Sequence, residues 1–458
     1  MRKFCNAFVA LVCLLAAGVL SAADVKNVIW IIGDGMGPEI MGFFMQGARY
    51  ANLDGYPDNV SHLEKMMSAG TWGLYFNNTY DTLVTDSAAA ATQMATGVLT
   101  RPEVIGRDFN GQNVKTLLEL AKEKGKSVGV ISDTYVTDAT PAGFTAHASG
   151  RGQKMDIARQ QIAFGADVIS GGGLKYFNSG ENKTLLKEAK KNGYRVARNK
   201  KELAKIKSGK LLGLFSSGAM PMSVELYKHP QVPSLAAQAQ KAVELMEQNK
   251  NGFVLMAEAG KIDWAAHAND AGAVLAEMKT LDALVAFAVK YADEHPDTLV
   301  YLNADHDTGL GSFVYRYVGK EEAARKTAQG EALYGGNTDY ASFGAFKLFE
   351  KQTGSLYYLE EELKKMPAEK RTPEYIEERL SQALGYPVNI AEFSNLDDIP
   401  GIFRQVNEKR GMSWATQNHS ASPLIGVAYG AEAERFSGVY HNTDILPRMK
   451  AALGWNED

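Results

Sequence analysis

Short apolar runs alternate with longer stretches of mixed polarity along most of the chain. Five of these runs have the length and residue types of buried strands, and they cover residues 28–32, 127–131, 253–256, 298–302 and 424–427. The stretches between them are long enough for helices, so the pattern predicts repeated βαβ units. We therefore expect an α/β fold with a doubly wound, mainly parallel central sheet flanked by helices.

The first 23 residues have a different pattern. Two basic residues at positions 2 and 3 precede an apolar run at 8–20 and a small-residue segment that ends at Ala23. These features predict a secretory signal peptide, because the run is short for a membrane span and no stop-transfer charges follow it. The mature protein is then exported, periplasmic or secreted, without a membrane span. Cys5 and Cys13 lie inside the signal, which leaves the mature chain no disulfide and no thiolate ligand.

The composition is that of a large globular protein. The chain has 458 residues, of which 45% are hydrophobic and 22% are charged. This balance suits a large buried core, and the length fits two or three domains or one large α/β domain with insertions. The formal net charge of -4 gives no basic footprint for nucleic acid. We therefore expect small-molecule partners and no nucleic-acid-specific binding.

Acidic residues or a histidine follow most of the predicted strands almost immediately. These positions are held by Asp34, Asp133, Glu258, and Asp305 with His306. Ligands of a doubly wound sheet bind at the carboxyl ends of its strands, so the placement predicts one shared site. Any single acid at such a position also fits the simpler role of a helix cap.

The segment Thr85-Asp86-Ser87-Ala88-Ala89 ends an extended stretch and opens an alanine-rich helix. A hydroxyl at a helix start lies among unpaired backbone N–H groups, which attract an oxyanion or a phosphate. Ser87 is therefore a candidate nucleophile. Taken alone, it would more often be a helix cap.

Five other segments carry candidate ligands. An extended backbone at Asp138 and Thr140 would direct both oxygens to one side, as a hard cation requires. Arg151 can hold a phosphate through two parallel hydrogen bonds. Asp263 and His267 would project from one helix face at a spacing that suits zinc. Adjacent residues at 305 and 306 can share a metal, and a further histidine, at 419, precedes the last predicted strand.

The order of these motifs closely resembles that of the alkaline phosphatase family. The resemblance spans most of the mature chain and rests on Asp34 in its glycine turn, residues 85–89, 138–141, Arg151, 258–267, 305–306 and His419. It implies a doubly wound α/β fold of the alkaline phosphatase type, with two Zn²⁺ and one Mg²⁺ per subunit. It also implies that residues 24–458 form a single domain, and that the protein is a homodimer.

The resemblance assigns each ligand to one of three metals. The first zinc would be held by Asp263, His267 and His419. The second zinc would be held by Asp34, Asp305, His306 and the Ser87 oxygen. The magnesium would be bound directly by Thr140 and Glu258, would face Asp34, and would meet Asp138 through a bound water.

The implied reaction is the hydrolysis of a broad range of phosphate monoesters. Ser87 would attack phosphorus and form a phosphoserine, while Arg151 holds two nonbridging oxygens. Two alternatives remain open. One is a related two-metal hydrolase of phosphodiesters or sulfate esters, and the other is a non-catalytic exported protein that binds phosphate or metal.

Two positions depart from the family's enteric bacterial pattern, and one long segment is an insertion. Trp264 stands in place of a lysine and Thr308 in place of a histidine. Trp264 cannot supply a charge toward phosphate, and Thr308 is a weaker partner for a metal-bound carboxylate. Residues 311–415 are expected to form an inserted surface subdomain, helical near 359–384. It either decorates the main domain or shapes the site entrance or a dimer contact.

Overall fold

The computed structural model describes residues 25–326, 336–393 and 398–455. The predicted signal peptide, with both cysteines, lies outside the described residues. Numbered in chain order, the strands are β1 Asn27–Gly33, β2 Thr71–Phe76, β3 Ser127–Tyr135, β4 Val168–Gly172, β5 Tyr194–Ala197, β6 Lys210–Leu214, β7 Phe253–Ala259, β8 Thr298–Ala304, β9 Asp307–Thr308, β10 Gly311–Phe313, β11 Arg316–Tyr317, β12 Thr338–Asp339, β13 Met412–Trp414, β14 His419–Ser420, β15 Leu424–Gly430 and β16 Gly438–His441.

The described α-helices lie between these strands. In chain order they are α1 Pro38–Tyr50, α2 His62–Ala69, α3 Ser87–Thr96, α4 Leu117–Glu123, α5 Ala139–Thr145, α6 Lys154–Phe164, α7 Leu174–Asn178, α8 Leu185–Lys191, α9 Lys200–Lys205, α10 Leu235–Met246, α11 Lys261–His267, α12 Ala271–Glu294, α13 Lys320–Ala323, α14 Gly344–Phe349, α15 Leu356–Lys365, α16 Pro373–Leu384, α17 Ile399–Glu408 and α18 Ile445–Ala452. None of these helices has the length and apolar character needed to cross a bilayer.

Ten strands form one central sheet in the order β16-β2-β15-β8-β1-β7-β3-β4-β6-β5. Every residue of β1, β7 and β8 is buried, which requires cover on both faces and explains why these strands are almost continuously apolar. All five predicted strands lie within observed strands of this sheet. The predicted α/β fold with a mainly parallel sheet is confirmed.

The strand order gathers the acidic residues at one edge of the sheet. Strand β1 is parallel to both of its neighbours, with Ile32 opposite Glu258 and Gly33 opposite Ala304. The carboxyl ends of β1, β7 and β8 therefore lie side by side, and the residues that follow them meet there.

Strand β15 runs antiparallel to both β8 and β2. Because its direction is reversed, the amino end of β15 lies at the same end of the sheet as the carboxyl ends of β8 and the strands parallel to β8. The short strand β14 precedes it and pairs with β9, which sets His419 opposite Thr308. One antiparallel strand thus returns His419 to the end of the sheet where the acids lie.

The predicted insertion begins and ends at a two-stranded ladder, in which β10 pairs with β13. Between these strands lies a second apolar cluster, formed by Leu356, Leu359, Leu363, Ile376, Leu380, Leu384, Val388, Ile390, Ile402, Phe403 and Val406. The predicted helical middle is present as α15 and α16. A separate apolar cluster is what an inserted subdomain needs, and the division into domains stays a prediction.

Candidate active site

Ser87 is the first residue of α3, and the residue before it caps the helix. The Asp86 carboxylate accepts hydrogen bonds from the backbone N–H groups of Ala88 at 3.0 Å and Ala89 at 3.2 Å. Since Asp86 fills the capping role, the Ser87 hydroxyl is left to face inward. Its oxygen lies 3.2 Å from Nε2 of His306, and both side chains are buried.

A chain of two hydrogen bonds sets the orientation of His306. The Thr308 hydroxyl lies 2.6 Å from Oδ1 of Asp263 and donates its proton there, because a carboxylate only accepts. The same hydroxyl lies 3.2 Å from Nδ1 of His306 and accepts from it. Nε2 of His306 therefore carries a lone pair that points toward Ser87, the arrangement that a metal ligand needs.

Two buried carboxylates converge on the same imidazole nitrogen. Oδ1 of Asp34 and Oδ2 of Asp305 each lie 3.3 Å from Nε2 of His306. Both oxygens are buried, and among the described residues neither has a hydrogen-bond partner. Burial and the neighbouring Asp305 charge raise the pKa of Asp34 well above its usual range. Burial, with the Asp263 charge, raises the pKa of Asp305 to about 7.

The lone pairs of these carboxylates and of the imidazole nitrogen point at one another. Burying them costs free energy unless a cation binds between them. Asp34, Asp263 and His306 each offer a ligand atom within 4.8 Å of the others. Nitrogen and carboxylate oxygen are ligands that zinc accepts. Asp34 and His306 belong to the second zinc site that the resemblance implies, and Asp263 belongs to the first. The residues present therefore fit a metal site, while the identity and number of the ions stay predictions.

A second group of ligands lies beside the first. Asp263, His267 and His419 also offer atoms that lie within 4.8 Å of one another. Nε2 of His267 lies 3.3 Å from Oδ1 of Asp263 and 3.1 Å from Nε2 of His419. Burial lowers the pKa of His267, but the Asp263 carboxylate outweighs this effect and raises it to about 9.

Backbone carbonyls orient both imidazoles of this group. Nδ1 of His419 lies 2.9 Å from the Thr85 carbonyl oxygen, and Nδ1 of His267 contacts the Gln417 carbonyl oxygen. Each Nδ1–H donates to its carbonyl, so each Nε2 points into the shared space as a ligand would. The predicted helix that carries Asp263 and His267 is confirmed as α11.

Among the predicted magnesium ligands, Glu258 lies close enough to Asp34 for its charge to raise the pKa of Asp34. The extended backbone predicted for Asp138 and Thr140 is wrong. Asp138 is the N-cap of α5, so Thr140 lies in the first turn of a helix and not on an extended segment. Asp138 prefers this position because its carboxylate accepts from the Ala139 N–H. Burial raises the pKa of Glu258 to about 8, and the charge of Asp138 adds to the shift.

Arg151 lies between the carboxylates of Asp86 and Asp138. Its guanidinium nitrogens lie 3.4 Å from Oδ2 of Asp86 and 3.4 Å from Oδ1 of Asp138. Burial disfavours its charge, but the carboxylates Asp138, Asp86 and Asp34 raise the pKa of Arg151 above its ordinary value. The guanidinium is therefore held beside the helix start that carries Ser87.

The comparisons with known proteins agree on one family. The family model for alkaline phosphatase matches residues 25–455. Alkaline phosphatase 3 of Bacillus subtilis (strain 168) is 31% identical over 94% of this chain and 90% of that protein. Alkaline phosphatase of Escherichia coli (strain K12) is 32% identical over 63% of this chain and 71% of its own length. The crystal structure of Thermus thermophilus alkaline phosphatase has a TM-score of 0.81 at 26% identity, covering 96% of this chain and 95% of that chain.

This chain belongs to the alkaline phosphatase family. Members of the family are metal-dependent phosphomonoesterases, and the fold implied by the resemblance is confirmed.

The contacts of several residues of this alkaline phosphatase site were not found from the sequence. Lys154 lies 2.8 Å from Oδ1 of Asp138, and no motif singled it out. Thr308, expected to be a weaker partner for a metal-bound carboxylate, donates a hydrogen bond to Asp263, and its strength as a partner stays a prediction. Asp133 follows a predicted strand as the ligands do, but it accepts from the Gly260 N–H instead. A carboxylate just after a strand is therefore compatible with metal binding and with accepting a backbone hydrogen bond, and the sequence does not distinguish the two roles.

Trp264 connects the site to the insertion. Its ring stacks on that of Tyr357 in α15, with ring centroids 5.2 Å apart, and its other aromatic neighbour is Tyr135 at 5.8 Å. Trp264 directly follows Asp263 in α11. The position that carries a lysine in the enteric pattern thus presents an aromatic surface next to the candidate ligands.

Proposed function

We propose that this protein hydrolyses phosphate monoesters through a phosphoserine on Ser87. The observation that carries the proposal is the 3.2 Å contact between the Ser87 oxygen and Nε2 of His306. It sets a hydroxyl at a helix N-terminus against a group of metal-type ligands. Both surroundings favour an oxyanion at that oxygen.

The proposed site holds two Zn²⁺ and one Mg²⁺. The first zinc is assigned to Asp263, His267 and His419, and the second to Asp34, Asp305, His306 and Ser87. Magnesium is assigned to Thr140 and Glu258, with Asp34 facing it and Asp138 acting through water. When bound, such ions lower the pKa of hydroxyl groups and water and stabilise developing negative charge.

The first chemical step breaks the ester bond. The Ser87 oxygen, already deprotonated, attacks phosphorus in line, the Oγ–P bond forms, and the P–O bond to the alcohol breaks. Arg151 holds two nonbridging oxygens while charge rearranges, and the backbone N–H groups at the start of α3 face the same anion.

The second step releases inorganic phosphate. A water molecule gives a proton to the departed alkoxide, and its oxygen attacks the phosphoserine from the side that the alcohol left. The Oγ–P bond breaks and returns the Ser87 oxyanion. Two in-line displacements retain the configuration at phosphorus. Neither step requires a contact with the alcohol, so we propose a broad range of monoesters.

The direct test measures hydrolysis of a chromogenic phosphate monoester, a phosphodiester and a sulfate ester. We expect rapid turnover of the monoester, and a loss of about 10³-fold or more in kcat for Ser87→Ala. Ser149→Ala is a matched control, because Ser149 is exposed and has no proposed role. Acid quenching should trap phosphate on Ser87. Monoester turnover at the wild-type rate in Ser87→Ala would contradict the proposal.

Metal dependence is tested by chelation and return of each ion. Activity should fall to background with the chelator, and should recover only when zinc is restored, with magnesium adding to the recovered rate. Faster turnover of the diester or the sulfate ester would favour the related hydrolase instead.

We also propose a homodimer that uses the β2 and β16 end of the sheet. Trp72 and Phe76 are on one face of β2, and Val439 lies opposite Leu74 on the same face. Trp72 is 57% exposed, Phe76 45% and Val439 68%, a group of large apolar side chains that favours a protein contact. Light scattering should give a dimer for the wild type and a monomer for Val439→Glu, while Tyr227→Glu stays dimeric.

Export is proposed from the first 23 residues, which lie outside the described part of the chain. N-terminal sequencing of protein collected from the periplasm or medium should begin directly after Ala23. An intact N-terminus on protein that stays in the cytoplasm would contradict this.

A further inference from the structure

The Lys154 side chain binds the same carboxylate oxygen as Arg151. Nζ of Lys154 lies 2.8 Å from Oδ1 of Asp138, and a guanidinium nitrogen of Arg151 lies 3.4 Å from that oxygen. The backbone N–H of Ala139 donates to it as well, at 3.0 Å. Three donors thus share one oxygen, and the ammonium group of Lys154 makes the shortest of these contacts.

Lys154 is in a position that helix energetics disfavour. It is the first residue of α6, and Gln153 before it gives no side-chain cap. A cation at a helix N-terminus opposes the helix dipole. An unfavourable local placement of this kind indicates a stabilising contact elsewhere in the structure. For Lys154, that contact is the ion pair with Asp138.

The ammonium group is confined on a second side by an aromatic ring. Nζ lies 4.6 Å from the centroid of the Tyr135 ring, within the range of a cation–π contact. The side chain of Lys154 is 20% exposed and that of Asp138 is 10% exposed. A charge pair with so little contact with water is only weakly screened.

Lys154 adds a second cation to the group of acids around Arg151. Arg151 lies between the carboxylates of Asp86 and Asp138, at 3.4 Å from each. The carboxylates of Asp34 and Glu103 also act on Arg151, so Lys154 offsets part of an excess of negative charge, and the guanidinium is not committed to Asp138 alone. Without Lys154, Asp138 would draw Arg151 closer, and the region would carry one more net negative charge toward an anionic substrate.

We propose that Lys154 is a positioning residue for the phosphate site, which neutralises Asp138 and leaves the Arg151 guanidinium available to phosphate. This inference rests on the proposed phosphomonoesterase function. Lys154 would also be a second cation at the site, contributed by α6. Trp264, on α11, supplies an aromatic surface and no charge.

The test measures phosphate binding by calorimetry in the zinc- and magnesium-loaded Ser87→Ala protein, in which no covalent step occurs. We expect Lys154→Met to weaken the binding of inorganic phosphate by about 30-fold, and Lys154→Arg to restore most of it. Lys175→Met is the matched control, since Lys175 also lies over the Tyr135 ring, at 5.6 Å, and makes no ion pair with Asp138 in the described structure. It should bind phosphate as tightly as the parent.

Kinetics of the same lysine variants with Ser87 intact separate positioning from damage to the fold. We expect Lys154→Met to raise KM for the monoester and the inhibition constant of phosphate together, while kcat changes by less than about threefold. A partly misfolded enzyme would lose kcat at unchanged KM, and thermal unfolding of each variant checks this directly. Unchanged phosphate affinity in Lys154→Met, or an equal loss in Lys175→Met, would overturn the proposal.

The outcome is independent of the proposed catalytic step. If the wild type failed to hydrolyse monoesters, the proposed function would fail, yet phosphate affinity would still report on Lys154. If monoester hydrolysis depended on Ser87 but Lys154→Met bound phosphate normally, only the inference about Lys154 would fail.

Discussion

The candidate site has two halves that differ in charge and in support. The imidazole half consists of Asp34, Asp263, His267, Asp305, His306 and His419. The cationic half consists of Asp86, Asp138, Arg151 and Lys154. In the described part of the chain, the ion-pair partners of the first half's carboxylates are imidazoles, whereas arginine and lysine neutralise the carboxylates of the second.

The supports differ as well. Most residues of the imidazole half follow buried central strands or lie on α11, directly after β7. The residues of the cationic half lie at helix starts and on the loop before α6. The imidazole half therefore depends on bound metal ions to balance its negative charge, whereas in the cationic half Arg151 and Lys154 pair with the carboxylates. We therefore expect the first half to control the chemical step and the second to control phosphate affinity.

The largest effect within the cationic half should come from Arg151. Arg151→Met removes the only side chain expected to bind two phosphoryl oxygens, so kcat/KM for a monoester should fall about 10²- to 10³-fold. Steady-state kinetics measure this, and Arg151→Lys should recover part of it. Arg159→Met is the control, because Arg159 pairs with Asp156 and Glu181 near the surface. A loss below threefold would mean that the cationic half does not hold phosphate.

A smaller effect should come from Thr308, which joins two residues of the imidazole half. Thr308→Val removes the hydroxyl that donates to Asp263 and accepts from His306. Losing such a supporting contact typically costs about 10- to 100-fold in metal affinity or activity. Competition with a fluorescent zinc chelator measures the affinity. Thr308→Ser keeps the hydroxyl and should bind zinc as the wild type does. Equal zinc affinity in Thr308→Val and the wild type would contradict a supporting role for the two Thr308 hydrogen bonds.

The smallest effect should come from His147, which anchors the loop before Arg151. Nε2 of His147 lies 3.0 Å from a Glu119 oxygen, and Nδ1 lies 2.6 Å from the Gly106 carbonyl oxygen. Both neighbours accept, so the doubly protonated imidazolium is favoured. The hydrogen bond with Glu119 raises the pKa of His147 above its ordinary value of 6.5.

A raised histidine pKa stabilises the folded state fully below pH 6.5 and loses this effect as the pH rises through the folded-state pKa. His147→Gln should therefore lower the free energy of unfolding by about 1 kcal/mol at pH 5.5 and by less at pH 9. Denaturant titration at both pH values measures this, with the exposed His229→Gln as control. A deficit that grows with pH would show that the imidazolium is not the anchor.

The strands and most of the imidazole half could be predicted because their signals are local. Fully buried strands need continuous apolar runs, and the loops that follow them carry ligands whatever the rest of the fold does. The i, i+4 spacing of Asp263 and His267 also sets both on one helix face without tertiary information. The signal for Ser87 was its place at a helix start.

The cationic half was harder because its contacts cross between elements. Nothing in the sequence near Lys154 points to Asp138, since the pair forms only when α6 packs beside the start of α5. The extended backbone predicted for residues 138–140 is wrong because Asp138 caps a helix, and capping competes with extension for the same residue type. The stacking of Tyr357 on Trp264 joins residues of two distant segments.

The sequence by itself determined the sheet, the nucleophile candidate and the residues suited to bind metal, because periodicity and donor chemistry act over a few neighbouring residues. Only the tertiary structure decided how charge is shared among them. The antiparallel β15 brings His419 to His306, with ring centroids 3.5 Å apart, and the packing of α6 sets Lys154 on Asp138. Charges interact through space over distances that chain position does not encode, so their balance follows from packing alone.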